Sequence, residues 1–220
     1  MGALLNIVTP LHKSTKRNYI ERMMDDKVAC MEVAGKFDAE FWDGDRRFGY
    51  GGYTYDGRWA AVAQALIDHY RLRSNAKILD VGCGKGYLLY ELKKLLPDAE
   101  IQGFDISGYA IDHAKEEIKD ALFCYHAQKK YPYDHGYFDL VLSLTTLHNL
   151  HIFDLKTALE EIDRVGKNKY ILVEGYRNEE ELFNLQCWAL TCRSFYTDKE
   201  WVWLYEHFGY TGDFEFIYFE

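Results

Sequence analysis

Apolar residues recur at steps of three and four across residues 16–34, where Ile20, Met23, Met24, Val28 and Met31 alternate with charged side chains. That spacing predicts an amphipathic helix whose methionine stripe faces a core, the alternative being an adaptable contact surface. Trp59, Val62, Ala63, Leu66, Ile67 and Tyr70 trace a second helix over residues 59–70. From there the pattern alternates. Short apolar runs at 77–81, 100–105, 121–125, 138–144, 170–174 and 213–219 predict strands, and segments of helical period at 87–96, 109–118, 153–165, 179–192 and 198–208 predict helices between them. Runs such as Ile78-Leu79-Asp80-Val81 and Tyr170-Ile171-Leu172-Val173 suit a parallel sheet covered by helices on each face. The fold class is therefore α/β, a doubly wound, mostly parallel sheet.

The stretch from Trp42 to Trp59 departs from this pattern, being crowded with glycine and aromatic residues. Glycine opens backbone conformations closed to other residues, and rings carried on such a backbone can cover something flat or cationic. The stretch predicts an aromatic and glycine-rich lid, the alternative being a surface loop whose rings merely pack on the core.

Composition narrows the partners. Of 220 residues, 35 are acidic and 26 basic, a formal charge of −9. A nucleic-acid partner, which needs a positive field, is not expected. The five cysteines, at 30, 83, 124, 187 and 192, form no Cys-x-x-Cys pair, so reduced thiols in the cytoplasm are expected and no metal site is singled out. No apolar run approaches the roughly 20 residues of a membrane helix, so no membrane is expected. Residues 1–10 lack the leading positive charge and cleavage site of a secretory signal.

The candidate chemistry sits where the first strand runs into a glycine turn, Asp80-Val81-Gly82-Cys83-Gly84-Lys85-Gly86, followed by a helix. Such a turn lets the backbone bend sharply and approach a ligand at the carboxyl edge of the sheet. A dinucleotide fingerprint needs its third glycine at position 87, which is Tyr87, and the turn does not fit that class. Gly-x-Gly-x-Gly with Asp80 two positions ahead resembles motif I of the class I S-adenosylmethionine-dependent methyltransferases. Two further segments carry the resemblance in the same order: Gly103-Phe104-Asp105-Ile106-Ser107, and Phe138-Asp139-Leu140-Val141-Leu142-Ser143 followed by Thr145-Thr146-Leu147-His148-Asn149-Leu150.

The resemblance, over about residues 55–218, implies a Rossmann-like methyltransferase fold of six or seven strands. The family usually ends in an antiparallel hairpin, yet only one strand is predicted after residue 208. It divides the chain into an N-terminal helical cap and lid, residues 1–58, and a catalytic domain, residues 59–220. It implies S-adenosylmethionine as cofactor and S-adenosylhomocysteine as product. Asp105 would bind the ribose hydroxyls, as a carboxylate can accept two hydrogen bonds at once, and Ile106 would lie against the adenine. Where family members often carry Asp-Ala, this chain has His126-Ala127-Gln128, leaving Gln128 or the main chain at Ala127 for the adenine amino group. Asp80, Gly82, Cys83, Gly84, Gly86 and Ser143 complete the implied donor contacts, and Arg58 is expected to grip the donor's carboxylate.

Methyl transfer is an in-line displacement, which leaves the protein to aim the acceptor lone pair and, for a hydroxyl, to remove a proton. Glu174 and His148, at the ends of the fifth and fourth strands, are the candidate catalytic groups. The structural alternatives are a salt bridge from Glu174 to Arg177 or Arg193 and a hydrogen-bonding role for His148. Asn149, Tyr50, Tyr53 and Tyr55 are expected to contact the acceptor, with Asp43, Asp45 and Asp56 adding negative charge.

The leading expectation is methyl transfer to a polar small molecule, weakly favouring an amine or guanidino nitrogen over a sugar hydroxyl. Methylation of a protein arginine or lysine is a second enzymatic reading, and a donor-binding regulatory module a non-enzymatic one. A homodimer through the N-terminal helix or the edge of the final strand stays open.

Overall fold

In the computed structural model, which describes residues 2–13 and 17–220, six strands form one sheet. They are β1 (Lys77–Val81), β2 (Glu100–Asp105), β3 (Leu122–Cys124), β4 (Phe138–Leu144), β5 (Gly166–Glu174) and β6 (Asp213–Ile217), in the order β3-β2-β1-β4-β5-β6. Every pairing is parallel. The winding reverses between β1 and β4, and such a reversal opens a crevice at the carboxyl ends of the strands.

Side chains alternate along a strand, so each apolar run serves two cores. Ile78, Leu140, Leu142, Tyr170 and Leu172 pack with α5 (Ala60–Tyr70), α6 (Tyr87–Leu95) and α9 (Glu179–Trp188). Leu79, Val81, Val141, Ile171 and Val173 pack on the other face with α8 (Ile152–Val165) and α10 (Asp198–His207). Among the described residues no helix is long and apolar enough to cross a membrane.

Several expected elements are corrected. The helix expected over residues 16–34 is two helices, α2 (Tyr19–Met24) and α3 (Lys27–Ala34), with Lys16 outside the described residues. Asp26, at φ 27°, interrupts the run, and its side chain caps α3 by accepting from Ala29 N. The interruption changes the helical phase, so Ile20, Met24 and Val28 are more than half exposed while α3 buries Cys30 and Ala34. The helix expected over 109–118 is α7 (Gly108–Asp112), capped by Ser107, followed by a 3-10 helix, Glu116–Ala121, after an extended Lys115. α9 ends at Trp188 rather than residue 192, and β6 ends at Ile217.

Of the six or seven strands expected, the described residues form six, with no closing antiparallel hairpin. α10 is the crossover that returns β6 parallel to β5. The outer edge of β6 is met by the chain's own N-terminal segment: Leu5 N donates to Phe214 O at 2.8 Å, and Phe214 N donates to Ala3 O at 3.0 Å. The edge expected to be open to a partner is partly covered.

Glu215, 1% exposed, anchors that segment. Its carboxylate accepts from Ile7 N at 2.6 Å, Val8 N at 3.1 Å and Thr9 N at 2.5 Å, at the start of α1 (Thr9–Lys13), and from the Tyr170 hydroxyl. Glu215→Gln turns an amide NH2 toward these donors and is expected to lower stability by about 2–4 kcal/mol in urea unfolding, with faster amide exchange at residues 5–9. An unchanged unfolding midpoint would remove Glu215 as the anchor.

Candidate active site

β1 delivers the chain into the glycine turn at the reversal point. Gly82 has φ of +80°, and a Cβ there would lie 2.1 Å from Thr146 Oγ1; a Cβ on Gly84 would lie 2.7 Å from the Trp42 ring. Both positions therefore need glycine for the fourth-strand loop and the lid to close on the turn. Asp105 ties the turn to β2: Gly84 N donates to its Oδ2 and Ser107 N to its Oδ1, both at 2.8 Å. Each oxygen keeps a further lone pair for a ligand hydroxyl.

Two cavities of about 480 and 270 Å³ share a wall that includes Trp42, Tyr50, Gly82, Leu144, Thr145 and Asn149. The smaller holds Asp105, Ile106, His126, Ala127 and Gln128; the larger holds Asp80, Cys83, Gly84, His148 and Glu174. An S-adenosyl donor fits this lining. Asp105 faces the smaller chamber from a rigid main-chain frame, and Asn149 Oδ1, in the shared wall, is buried with no hydrogen-bond partner among the described residues, an acceptor that a ligand N–H would satisfy. Among the described residues no group of three or more His, Cys, Asp or Glu is arranged to hold a metal ion.

The lid is latched to the turn. Lys85, 3% exposed, donates to Asp43 at 2.6 and 2.8 Å and to Tyr53 O at 2.9 Å, and the Tyr109 hydroxyl donates to Asp43 at 2.9 Å. Trp42 Nε1 donates to Ser107 Oγ at 2.9 Å, and its ring stacks on Tyr50 at 5.3 Å between centroids. Tyr53 stacks on Tyr87 and accepts from Trp59 Nε1 at 3.0 Å.

Not every sequence candidate comes to the cleft. Tyr55 lines neither chamber, because its hydroxyl donates to Glu91 on α6. Ser143 is fully buried and donates to Val81 O at 3.0 Å, and Gly86 caps α6 outside both chambers. Arg58 reaches the larger chamber with its guanidinium already paired to Asp56 at 2.5 Å. The lid acids expected to face an acceptor are partly committed elsewhere, Asp43 to Lys85 and Asp56 to Arg58.

Glu174 and His148 are brought together. Glu174 N donates to His148 Nδ1 at 3.3 Å, so the neutral ring carries its proton on Nε2, which lies 3.5 Å from Glu174 Oε2. Burial lowers the His148 pKa, and the opposing pull of the Glu174 charge does not restore it. The alternative salt bridges from Glu174 to Arg177 or Arg193 do not form among the described residues; Arg177 pairs with Glu181 and Glu220.

Sequence reading missed the opposite wall of the larger chamber. Arg17, Arg22 and Arg46 all line it, with guanidinium carbons 5.4, 5.0 and 4.9 Å from the centroid of the Trp188 ring. No local spacing announces a cluster whose members lie just before and on α2, in the lid and on α9. Lys85 inside the glycine turn was the one legible sign of the latch.

The family described as "Methyltransferase domain" matches residues 72–209 of this chain. Among curated proteins, the mouse (Mus musculus) protein named arginine-hydroxylase NDUFAF5, mitochondrial, is 31% identical over 109 residues, covering 50% of this chain and 31% of the relative. The Bacillus anthracis malonyl-[acyl-carrier protein] O-methyltransferase is 28% identical over 127 residues, covering 53% and 46%. The chain thus spans less than half the length of either relative. The crystal structure of the YcgJ protein from Bacillus subtilis superimposes with a TM-score of 0.52 at 17% identity over 66% of each chain, a likeness of fold.

Electrostatically, burial and then the nearby Asp105 charge push the Asp80 carboxyl up to about 7 from its ordinary 3.8. The folded protein therefore holds this proton up to about pH 7, whereas the unfolded chain gives it up near 3.8, so stability falls as pH rises between those values. Asp80→Asn is expected to match the wild type near pH 4 and to exceed its stability by about 1–3 kcal/mol at pH 8, measured by urea unfolding. A difference that does not vary with pH would show that Asp80 is not the buried titrating group.

Proposed function

The chain belongs to the methyltransferase-domain family as a class I S-adenosylmethionine-dependent methyltransferase, and from that premise we propose that it methylates a polar small molecule held in the larger chamber. The observation carrying this reading is the Glu174–His148 pair, which lines a chamber contiguous with the donor's lining. Bound S-adenosylmethionine supplies a methyl group on a sulfonium, open to displacement by an aligned lone pair.

Asp105 holds the ribose hydroxyls with the lone pairs that Gly84 and Ser107 leave free. Ile106, Ala127 and Gln128 line the adenine end, and Asp80 sets a carboxylate at the cationic end. Glu174 accepts a hydrogen bond from the acceptor's hydroxyl or amine, aims its lone pair, and takes its proton as the new bond forms. His148 is a positioning residue: both ring nitrogens are occupied with Glu174, one by its main chain and one by its carboxylate. Tyr50 and the Trp42 ring line the chamber beside this pair, stacked on one another.

The relatives' names point to different acceptors, so neither is carried over. A second reading, methylation of a protein side chain, draws support only from the arginine in one relative's name.

Supplying S-adenosylmethionine with a labelled methyl group to a cell extract separates the two, since label is expected in the low-molecular-weight fraction; label confined to protein would overturn the small-molecule reading. Glu174→Gln is expected to cut that transfer about 100-fold or more while calorimetric affinity for S-adenosylhomocysteine stays within about threefold. Equal transfer removes Glu174 from the mechanism. Asp105→Ala is expected to weaken S-adenosylhomocysteine binding by about 1–3 kcal/mol, and unchanged affinity in a folded variant refutes the ribose assignment.

A further inference from the structure

Arg47, Arg58, Arg164 and Arg177 each pair with a carboxylate. Arg22 and Arg46 do not, although an acid lies close in sequence to each. Arg22 donates to Arg46 O at 2.5 Å, Arg46 donates to Gly49 O, and neither forms an ion pair among the described residues. Arg22 Nε is buried with no hydrogen-bond partner among the described residues. The two guanidiniums, with that of Arg17, gather over one indole, Trp188.

Burial lowers the pKa of all three arginines, and the Arg46 charge lowers that of Arg22 further. Like charges drawn together away from water are costly unless an anion joins them, and stacking on an indole offsets only part of that cost. The protein as a whole is acidic, so its global field does not explain the cluster. Glu174 lines the same chamber, and its charge is felt at both Arg17 and Tyr50. The chamber is thus bipolar, with a basic wall at Trp188 and a carboxylate at the end of β5.

We propose that the acceptor carries an anionic group, a carboxylate or a phosphate, bound by Arg22 and Arg46 beside Trp188, with its methyl-accepting hydroxyl or amine turned toward Glu174. This deepens the function proposed above and rests on it for the role of Glu174. Guanidinium forks suit both anions, because each offers paired oxygens to two parallel N–H groups. The Trp188 ring adds a flat apolar surface for the acceptor's body.

The test titrates the protein, saturated with S-adenosylhomocysteine, with inorganic phosphate and separately with acetate at fixed ionic strength, following the melting temperature. A saturable rise beyond that given by chloride is expected. Its apparent affinity is expected to fall at least about tenfold in Arg22→Gln and Arg46→Gln. Arg46→Lys, which keeps the charge but loses the fork, is expected to fall in between and serves if a glutamine variant fails to fold. A response to phosphate alone assigns a phosphorylated acceptor, and a response to acetate assigns a carboxylate. No saturable response to either anion in a protein that binds S-adenosylhomocysteine overturns the proposal, as does an undiminished response in the arginine variants. Calorimetry on the same samples keeps the two readings apart: wild-type protein that fails to bind S-adenosylhomocysteine would defeat the methyltransferase function rather than the anion site.

Discussion

Two carboxylates, Asp80 and Asp105, are buried at the carboxyl ends of adjacent parallel strands, and the site is organised around the cost of that proximity. The two are treated differently. Burial raises the pKa of Asp105, but main-chain N–H groups of Ser107, Gly84 and Ile106 oppose the shift and hold its carboxylate in place. Asp80 has no such frame, and burial together with the Asp105 charge pushes it up to about 7. One carboxylate is a fixed acceptor and the other is left for a cationic ligand to neutralise. The sulfonium donor of this enzyme class is such a cation, and its arrival would relieve the strain that the protein alone leaves standing.

The same turn that frames Asp105 carries Lys85 into a buried position, where Asp43 neutralises it. A buried ammonium without its carboxylate is costly, so the lid cannot lift from the turn without exposing or stranding that charge. This coupling explains why an aromatic lid with five glycines sits in one arrangement over Gly84. Its backbone is permissive, but its first residues are pinned by Asp43 and by the Trp42 indole on Ser107, and Tyr53 is held by Lys85. Water exclusion over the donor and rigidity of the lid thus share one ion pair.

The parallel sheet was legible because its strands are apolar on both faces and each is bounded by polar turns; β1, β2 and β4 fall at their expected limits. The donor edge was legible for a related reason, since Gly82, Gly84 and Asp105 lie within a few residues of strand ends whose positions were already clear. What failed was phase and partnership. A single left-handed residue, Asp26, breaks the stripe, leaving Ile20, Met24 and Val28 exposed while Met31 packs with Cys30 and Ala34, and no periodicity shows such a break in advance. Tyr55 and Ser143 carry suitable chemistry but are taken up by Glu91 and Val81 O, partners that only the folded chain brings near. Arg22, Arg46 and Trp188 are separated by up to 166 positions, and their meeting depends on α2 packing beside α9.

That packing divides the labour between two parts of the chain. The segment matched to the methyltransferase-domain family, residues 72–209, supplies the glycine turn, Asp105 and the Glu174–His148 pair. The lid and all three clustered arginines lie before it. On the proposal above, the anion-binding groups Arg22 and Arg46 come from the preceding segment, while the Trp188 ring they meet comes from the matched one. Glu215 links the two, because it is a sheet residue that holds the N-terminal segment through three main-chain N–H groups. On that proposal, acceptor recognition follows from where the chain's N-terminal segment is tied down.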